Sequence, residues 1–225
     1  YDGEALSNGA TPSVTEGTTV SYRTKNTEEG EWSEWKDEVP SLTDVGKLWI
    51  EAKAENSNYK TATVEYDLEV TPRPVTVAAE NKTKVYGAAD PELTAKVSGT
   101  VGNDTVAYTL ARDAGENVGT YTITASGAVS QGNYTVTCTP GTFEITKAET
   151  LGLTAALTGE AAKKVYDGEA LSNGATPSVT EGTTVSYRTK TAEEGEWTEW
   201  TDEVPSLTNV GKLWIEAKAD NDNYK

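Results

Sequence analysis

The chain has 225 residues, a formal net charge of −17, no His, no Met and a single Cys. That charge argues against nucleic acid and anionic membrane as partners. The missing His removes the usual general base and the commonest imidazole metal ligand, and one Cys cannot form an internal disulfide.

Taken in order, the chain begins and ends with the same sequence. Residues 166–225 repeat residues 1–60 after a shift of 165, with no gap. Seven positions differ: Asn26/Thr191, Thr27/Ala192, Ser33/Thr198, Lys36/Thr201, Asp44/Asn209, Glu55/Asp220 and Ser57/Asp222. Near-identity at a fixed spacing is the mark of a tandem array.

In the first copy, Asn8-Gly9 is a tight-turn pair. TTVSYRT (18–24) places Val20 and Tyr22 on one face and Ser21 and Arg23 on the other, as a half-buried strand requires. EWSEW (31–35) reads as the return strand of a hairpin, ended by Pro40. KLWIEAKA (47–54) alternates most clearly, with Leu48, Ile50, Ala52 and Ala54 opposite Trp49, Glu51 and Lys53. TATVEYDLEV (61–70) follows, with Val64, Tyr66, Leu68 and Val70 on one face. Thr71-Pro72-Arg73-Pro74 predicts a stiff extended linker. No stretch carries convincing 3.6-residue periodicity, so helices should be short or absent.

The middle segment contains KVYGAADPEL (84–93) and predicts strands over 105–111, 117–125, 133–139 and 141–146. In YTVTC, alternation points Cys138 inward as a small hydrophobe. This segment is a diverged copy of the first: VGTYTITA stands where VGKLWIEA does, and NYTV where NYKT does. GLTAALTGEAAKKVYDG then supplies an opening strand to the last copy. The expected domains are 1–71, lacking its first strand; 72–147, complete; and 148–225, lacking its last strand. Exposed edges left this way could pair with another molecule. Without an initiator Met the chain reads as a piece of a longer one, with export signal and any anchor outside it. No apolar run is long enough to span a bilayer.

VYDGEAL (165–171), Val210-Gly211 and Asn223-Tyr224-Lys225 resemble the YDG-type repeats of bacterial surface proteins. KVYGAADPEL (84–93), GENVGTYTITASG (115–127), GNYTV (132–136) and FEITK (143–147) resemble the MBG domain of the YGX type. The resemblance implies mostly β modules alternating in long arrays of large exported proteins, often of gut Firmicutes. It implies an extracellular or cell-wall location and supplies no catalytic site.

Candidate binding residues are the tryptophans Trp32, Trp35 and Trp49, with their copies Trp197, Trp200 and Trp214. Exposed indole faces can stack on sugars, which makes host or dietary glycans and mucin the candidate ligands. The competing reading is a cross-strand aromatic cluster that stiffens a sheet. In an extended strand, positions 32 and 35 would face opposite ways, and Arg23 or Lys53 could stack on the exposed ring. WSEWK also echoes the WSXWS box of cytokine-receptor fibronectin type III domains, a short match read as convergent hairpin chemistry. The acidic run 28–38 holds six carboxylates but not the spaced loop of a Ca²⁺ site, so it reads as a solvated hairpin. Lys47 or Lys53 with Asn56 or Asn58 are candidates, by residue type, for an intramolecular isopeptide bond. The glycines of KVYG and VYDG read as turn formers.

The fold expected is all-β: three tandem Ig-like sandwich modules in an elongated rod, with a β-grasp-like module as the alternative, hinted at by AADPEL (88–93). The function expected is non-enzymatic, without cofactor or metal: a stalk or filament segment of an adhesin-like surface protein, or alternatively a glycan-binding module using the Trp-bearing hairpin. End-to-end or edge-strand self-association is the other expected partner mode.

Overall fold

The computed structural model describes all residues 1–225 and is all-β, in sandwich-like modules. Its one helical element is the 3-10 turn Gly159–Ala162. Residues 88–93 are irregular, so nothing corresponds to the helix a β-grasp needs. The chain forms two compact units: Tyr1–Asn81 with Leu93–Asp113 and Thr122–Thr142, and Lys82–Glu92 with Ala114–Tyr121 and Phe143–Lys225.

In the first unit, the first repeat and the segment that follows it build a three-stranded antiparallel sheet. Gly46–Asn56 is central, between Thr18–Lys25 and Ala62–Val70. The period-two pattern explains the core. Tyr22, Leu48, Ile50, Ala52 and Leu68 are buried together, with Ala10, Val20, Leu42 and Tyr66 packed on them. Ile50 is fully buried, opposite Tyr66 in the ladder. Two phenols tie the loop before the sheet to this core. The Tyr22 hydroxyl accepts from the Ala10 amide at 3.1 Å, and the Tyr66 hydroxyl donates to the Asn8 carbonyl at 2.7 Å.

The run 31–35 is not a strand. It lies beside Thr18–Lys25 through the bridge Tyr22↔Lys36 and the bond from the Ser33 amide to the Thr24 carbonyl at 2.9 Å. The expected linker also differs. Arg73 and Pro74 open the strand Arg73–Ala79, whose first positions tolerate a missing N–H. That strand pairs parallel with Tyr134–Thr139 and antiparallel with Ala95–Ser98. Val75, Val77 and Val136 are buried there, and Cys138 is half-buried opposite Val77. Gly99 has φ +103°, and a Cβ would meet the Pro74 carbonyl oxygen at 2.5 Å, so the close approach requires glycine. Of the strand expected over 105–111, only Thr109–Arg112 forms, paired with Gly119–Ser126.

In the second unit, Lys82–Val85 pairs parallel with Gly141–Thr146 at Phe143–Thr146. Phe143 and Ile145 are fully buried. The second repeat pairs Thr184–Lys190 with Trp214–Asp220, and the opening strand Leu153–Ala155 with Ala175–Pro177. Trp214–Asp220 pairs with Thr184–Lys190 alone, whereas Gly46–Asn56 is also flanked by Ala62–Val70, which follows the first repeat. Ile215, the counterpart of Ile50, is therefore only half-buried. It lines a 590 Å³ cavity with Leu171, Leu207 and Leu213.

Candidate functional site

The aromatic candidates gather on the outer face of each repeat's sheet, interleaved with cations. Arg23 stands opposite Glu51 in the ladder and grips its carboxylate through Nε at 2.5 Å and through a second nitrogen. The guanidinium thus held flat lies over Trp32 and Trp35, 5.1 and 4.8 Å from the ring centroids. Lys25 covers Trp32 at 4.9 Å and Lys53 covers Trp35 at 4.6 Å. Trp32 and Trp35 therefore share one face, against the expectation of opposite faces, because the segment carrying them is not a regular strand. Trp49 stands apart, with Lys47 at 5.2 Å. The expected stacking by Arg23 and Lys53 is present.

The second repeat rebuilds the arrangement. Arg188 holds Glu216 and covers Trp197 and Trp200 at 5.1 and 4.8 Å; Lys190, Lys218 and Lys212 sit over Trp197, Trp200 and Trp214. One difference follows from packing. The Glu51 side chain is 11% exposed and that of Glu216 is 44%, since Ala62–Val70 flanks only the first. The acidic residues of 28–38 are all exposed. Lys47 pairs with Asp67 at 3.3 Å and Lys53 with Glu55 at 2.9 Å, while Asn56 bonds Glu16 and Thr18. Lys47, Lys53 and Asn56 are thus engaged with other partners.

A buried lysine does occur elsewhere. Lys84, with a side chain 4% exposed, donates to Asp90 at 2.7 Å and Glu116 at 2.5 Å. These bonds, Asp90 first, raise its pKa above the ordinary lysine value, so it is an ion-pair anchor rather than an amine nucleophile.

The contacts that sequence reasoning missed join the repeats to the middle segment. Asn133 accepts from the Val45 amide at 2.8 Å and donates to Asp44 Oδ1 at 2.9 Å. Beside it, Tyr134 packs edge-on against Tyr1, centroids 5.5 Å apart at 87°. The Tyr134 hydroxyl accepts from the Val101 amide and donates to Asp104 at 2.5 Å; burial, then Asp104, pushes this phenol's pKa up. In the second unit, Asn223 accepts from the Val118 amide at 2.8 Å and donates to Asn117 Oδ1 at 3.2 Å. Tyr224 packs on Tyr86 at 5.5 Å and 71°. The segment entering each junction bonds alike: the amides of Arg73 and Ala148 donate to the carbonyls of Asn133 and Asn223, both at 2.9 Å. One constellation is used twice: a Tyr and an (Asp/Asn)-Val-Gly turn on one side, an Asn-Tyr turn on the other. The glycines of YDG and YG adopt φ +86° at Gly3 and Gly168 and +80° at Gly87, the turn role expected of them. The signal was present, since these dipeptides recur in every copy, but their spacing does not disclose that they meet.

Residues 75–144 match the family model of the MBG domain (YGX type). Domains of this family are typical of surface proteins and are not known as enzymes. A search of curated proteins finds no match to the chain. No helix is long and apolar enough to cross a membrane.

Proposed function

We propose that the chain is a non-catalytic stalk or filament segment of an extracellular, adhesin-like bacterial surface protein, with the two repeats as YDG-type modules flanking the MBG-type one. The observation carrying this reading is the doubled junction. A flexible string of modules needs no conserved geometry between neighbours, whereas here the same Asn-Tyr turn bonds the same Val-Gly turn in both units. Short connections clamped by such bonds limit bending, repetition sets length, and a charge of −17 keeps neighbouring stalks apart. Small-angle scattering tests it. A compact chain of 225 residues would have a radius of gyration of about 17 Å. A stalk requires a value well above that, and a value near the compact one sinks the proposal.

Glycan binding through the tryptophans is the weaker reading, because Arg23, Lys25 and Lys53 already cover the ring faces a sugar would need. Saturable binding on a glycan and mucin panel, abolished by Trp35→Ala, would restore it.

A further inference from the structure

Two parallel strand pairs lie in the stretch between the repeats. Arg73–Ala79 pairs with Tyr134–Thr139, from Arg73↔Tyr134 to Ala78↔Thr139. Lys82–Val85 pairs with the end of Gly141–Thr146, from Lys82↔Phe143 to Val85↔Thr146. One offset of 61 residues serves both pairs, and Asn81 keeps it, taking the Thr142 amide on its side chain at 2.8 Å. Each ladder gains a further bond at an end: the Arg73 amide donates to the Asn133 carbonyl at 2.9 Å, and the Tyr86 amide to the Thr146 carbonyl at 2.8 Å.

Strand direction decides how tension acts on these pairs. The chain arrives from the first repeat at the N-terminal end of one strand, Arg73 or Lys82. It departs toward the second repeat from the C-terminal end of the other, Thr139 or Thr146. In a parallel pair those two points sit at opposite ends of the ladder. Pulling therefore slides one strand along the other, and all the rungs must stretch together. An antiparallel pair loaded the same way would open from one end, each rung bearing the whole force in turn. Forced unfolding is governed by the unfolding barrier, so the direction of loading counts for more than the number of bonds.

The surroundings strengthen both ladders. Val75, Val77 and Val136 are buried along the first, and Phe143 and Ile145 along the second, which keeps water from replacing a stretched bond. Lys84 ties its own strand to residues outside the pair, since its buried ammonium bonds Asp90 and Glu116. The Lys84 carbonyl also accepts from the Thr146 hydroxyl at 3.2 Å.

From this we infer that residues 73–146 are a tension-resisting clamp, whose two parallel pairs pass pulling force from one repeat to the other in shear. The inference deepens the stalk reading and rests on it for the source of the tension. The two fail separately, because scattering reads the shape of the chain and force reads the strength of the clamp.

Single-molecule pulling on the whole chain tests it, with the native thiol removed by Cys138→Ala and handles attached through new cysteines at exposed positions. Thr71→Cys with Lys147→Cys loads both pairs in shear. Thr71→Cys with Thr135→Cys loads the first pair from one end, so that its rungs peel. Both proteins should melt where the Cys138→Ala chain does, which shows that the fold is kept. At equal loading rate, the first break in shear should need at least about twice the force of the first break in peeling. A smaller ratio, or a shear force below the peeling force, would overturn the inference even if scattering shows an extended chain.

Discussion

Asn133 and Asp44 lie 89 residues apart in sequence, yet Asn133 Nδ2 donates to Asp44 Oδ1 at 2.9 Å while its Oδ1 takes the Val45 amide. The equivalent bond in the second unit ends on a neutral side chain, Asn223 to Asn117. The same substitution at the two sites therefore has different consequences. Asn133→Asp places a carboxylate against Asp44, whereas Asn223→Asp faces an amide that can donate. Asn133→Asp should loosen its junction more, and Asn133→Ala should cost about 1–3 kcal/mol by leaving two groups unpaired. Hydrogen exchange at Val45 and Val118 checks this. Equal loss of protection at both sites would contradict it.

The ion pairs beneath the tryptophans form an internal control for burial. Glu51 is better shielded than Glu216, so Arg23 should contribute more than Arg188. Lysine at either position loses the two-pronged grip and the flat stack on both indoles. Arg23→Lys should destabilise its repeat more than Arg188→Lys, read as the difference in denaturant midpoint between the variants. The reverse order would show that shielding by Ala62–Val70 is not what matters.

Trp35 bridges Arg23 and Lys53, and its removal leaves Lys53 without a ring beneath it and Arg23 with Trp32 alone. On the stalk reading, Trp35→Ala should cost about 1–3 kcal/mol of stability. A variant as stable as the wild type would mean that the aromatic face serves something other than the fold.

Ile50 is fully buried and Ile215 lines a cavity, although their local sequences are identical. Ile50→Ala should cost about 2–5 kcal/mol, and Ile215→Ala clearly less, since its site already has space on one side. Exchange measured on peptides spanning 44–57 and 209–222 separates the two, because substitutions at three positions give them different masses.

The raised pKa of Lys84 makes a stability term with a defined sign. The folded state holds this proton more tightly than the unfolded chain, so the stabilisation is complete below the ordinary lysine pKa of 10.5 and is lost as pH rises through the higher folded value. Thermal melts should show stability falling above that pH, with a smaller fall in Lys84→Met. Tyr134 acts in the same direction, so some alkaline loss should persist in the variant. An unchanged alkaline profile would assign the loss to other groups.

Much of the sheet structure was legible. Alternation in 47–54 and 61–70 predicted the strands Gly46–Asn56 and Ala62–Val70 and the inward set Leu48, Ile50 and Leu68, because a side chain on a strand has only two directions to choose from. EWSEW failed on the same ground. Its alternation assumed a regular strand, whereas Trp32 and Trp35 turn to one side to sandwich a guanidinium held from across the sheet by Glu51. Pro74 likewise signalled a linker, yet the edge of the ladder accommodates it at the start of a strand.

By itself, then, the sequence determined what local pattern can determine: the β class, the repeat, the core-facing residues of the strongest strands and the glycine turns. Tertiary structure alone decided which turns meet. Asn-Tyr and Val-Gly are ordinary turn dipeptides, each satisfied locally in many folds, and nothing in their spacing pairs Asn133 with Asp44 or Asn223 with Asn117. Those pairings arise when the parallel pairing of Arg73 with Tyr134, and of Ala148 with Tyr224, carries distant segments to one place, where an amide side chain can satisfy a turn from another part of the chain.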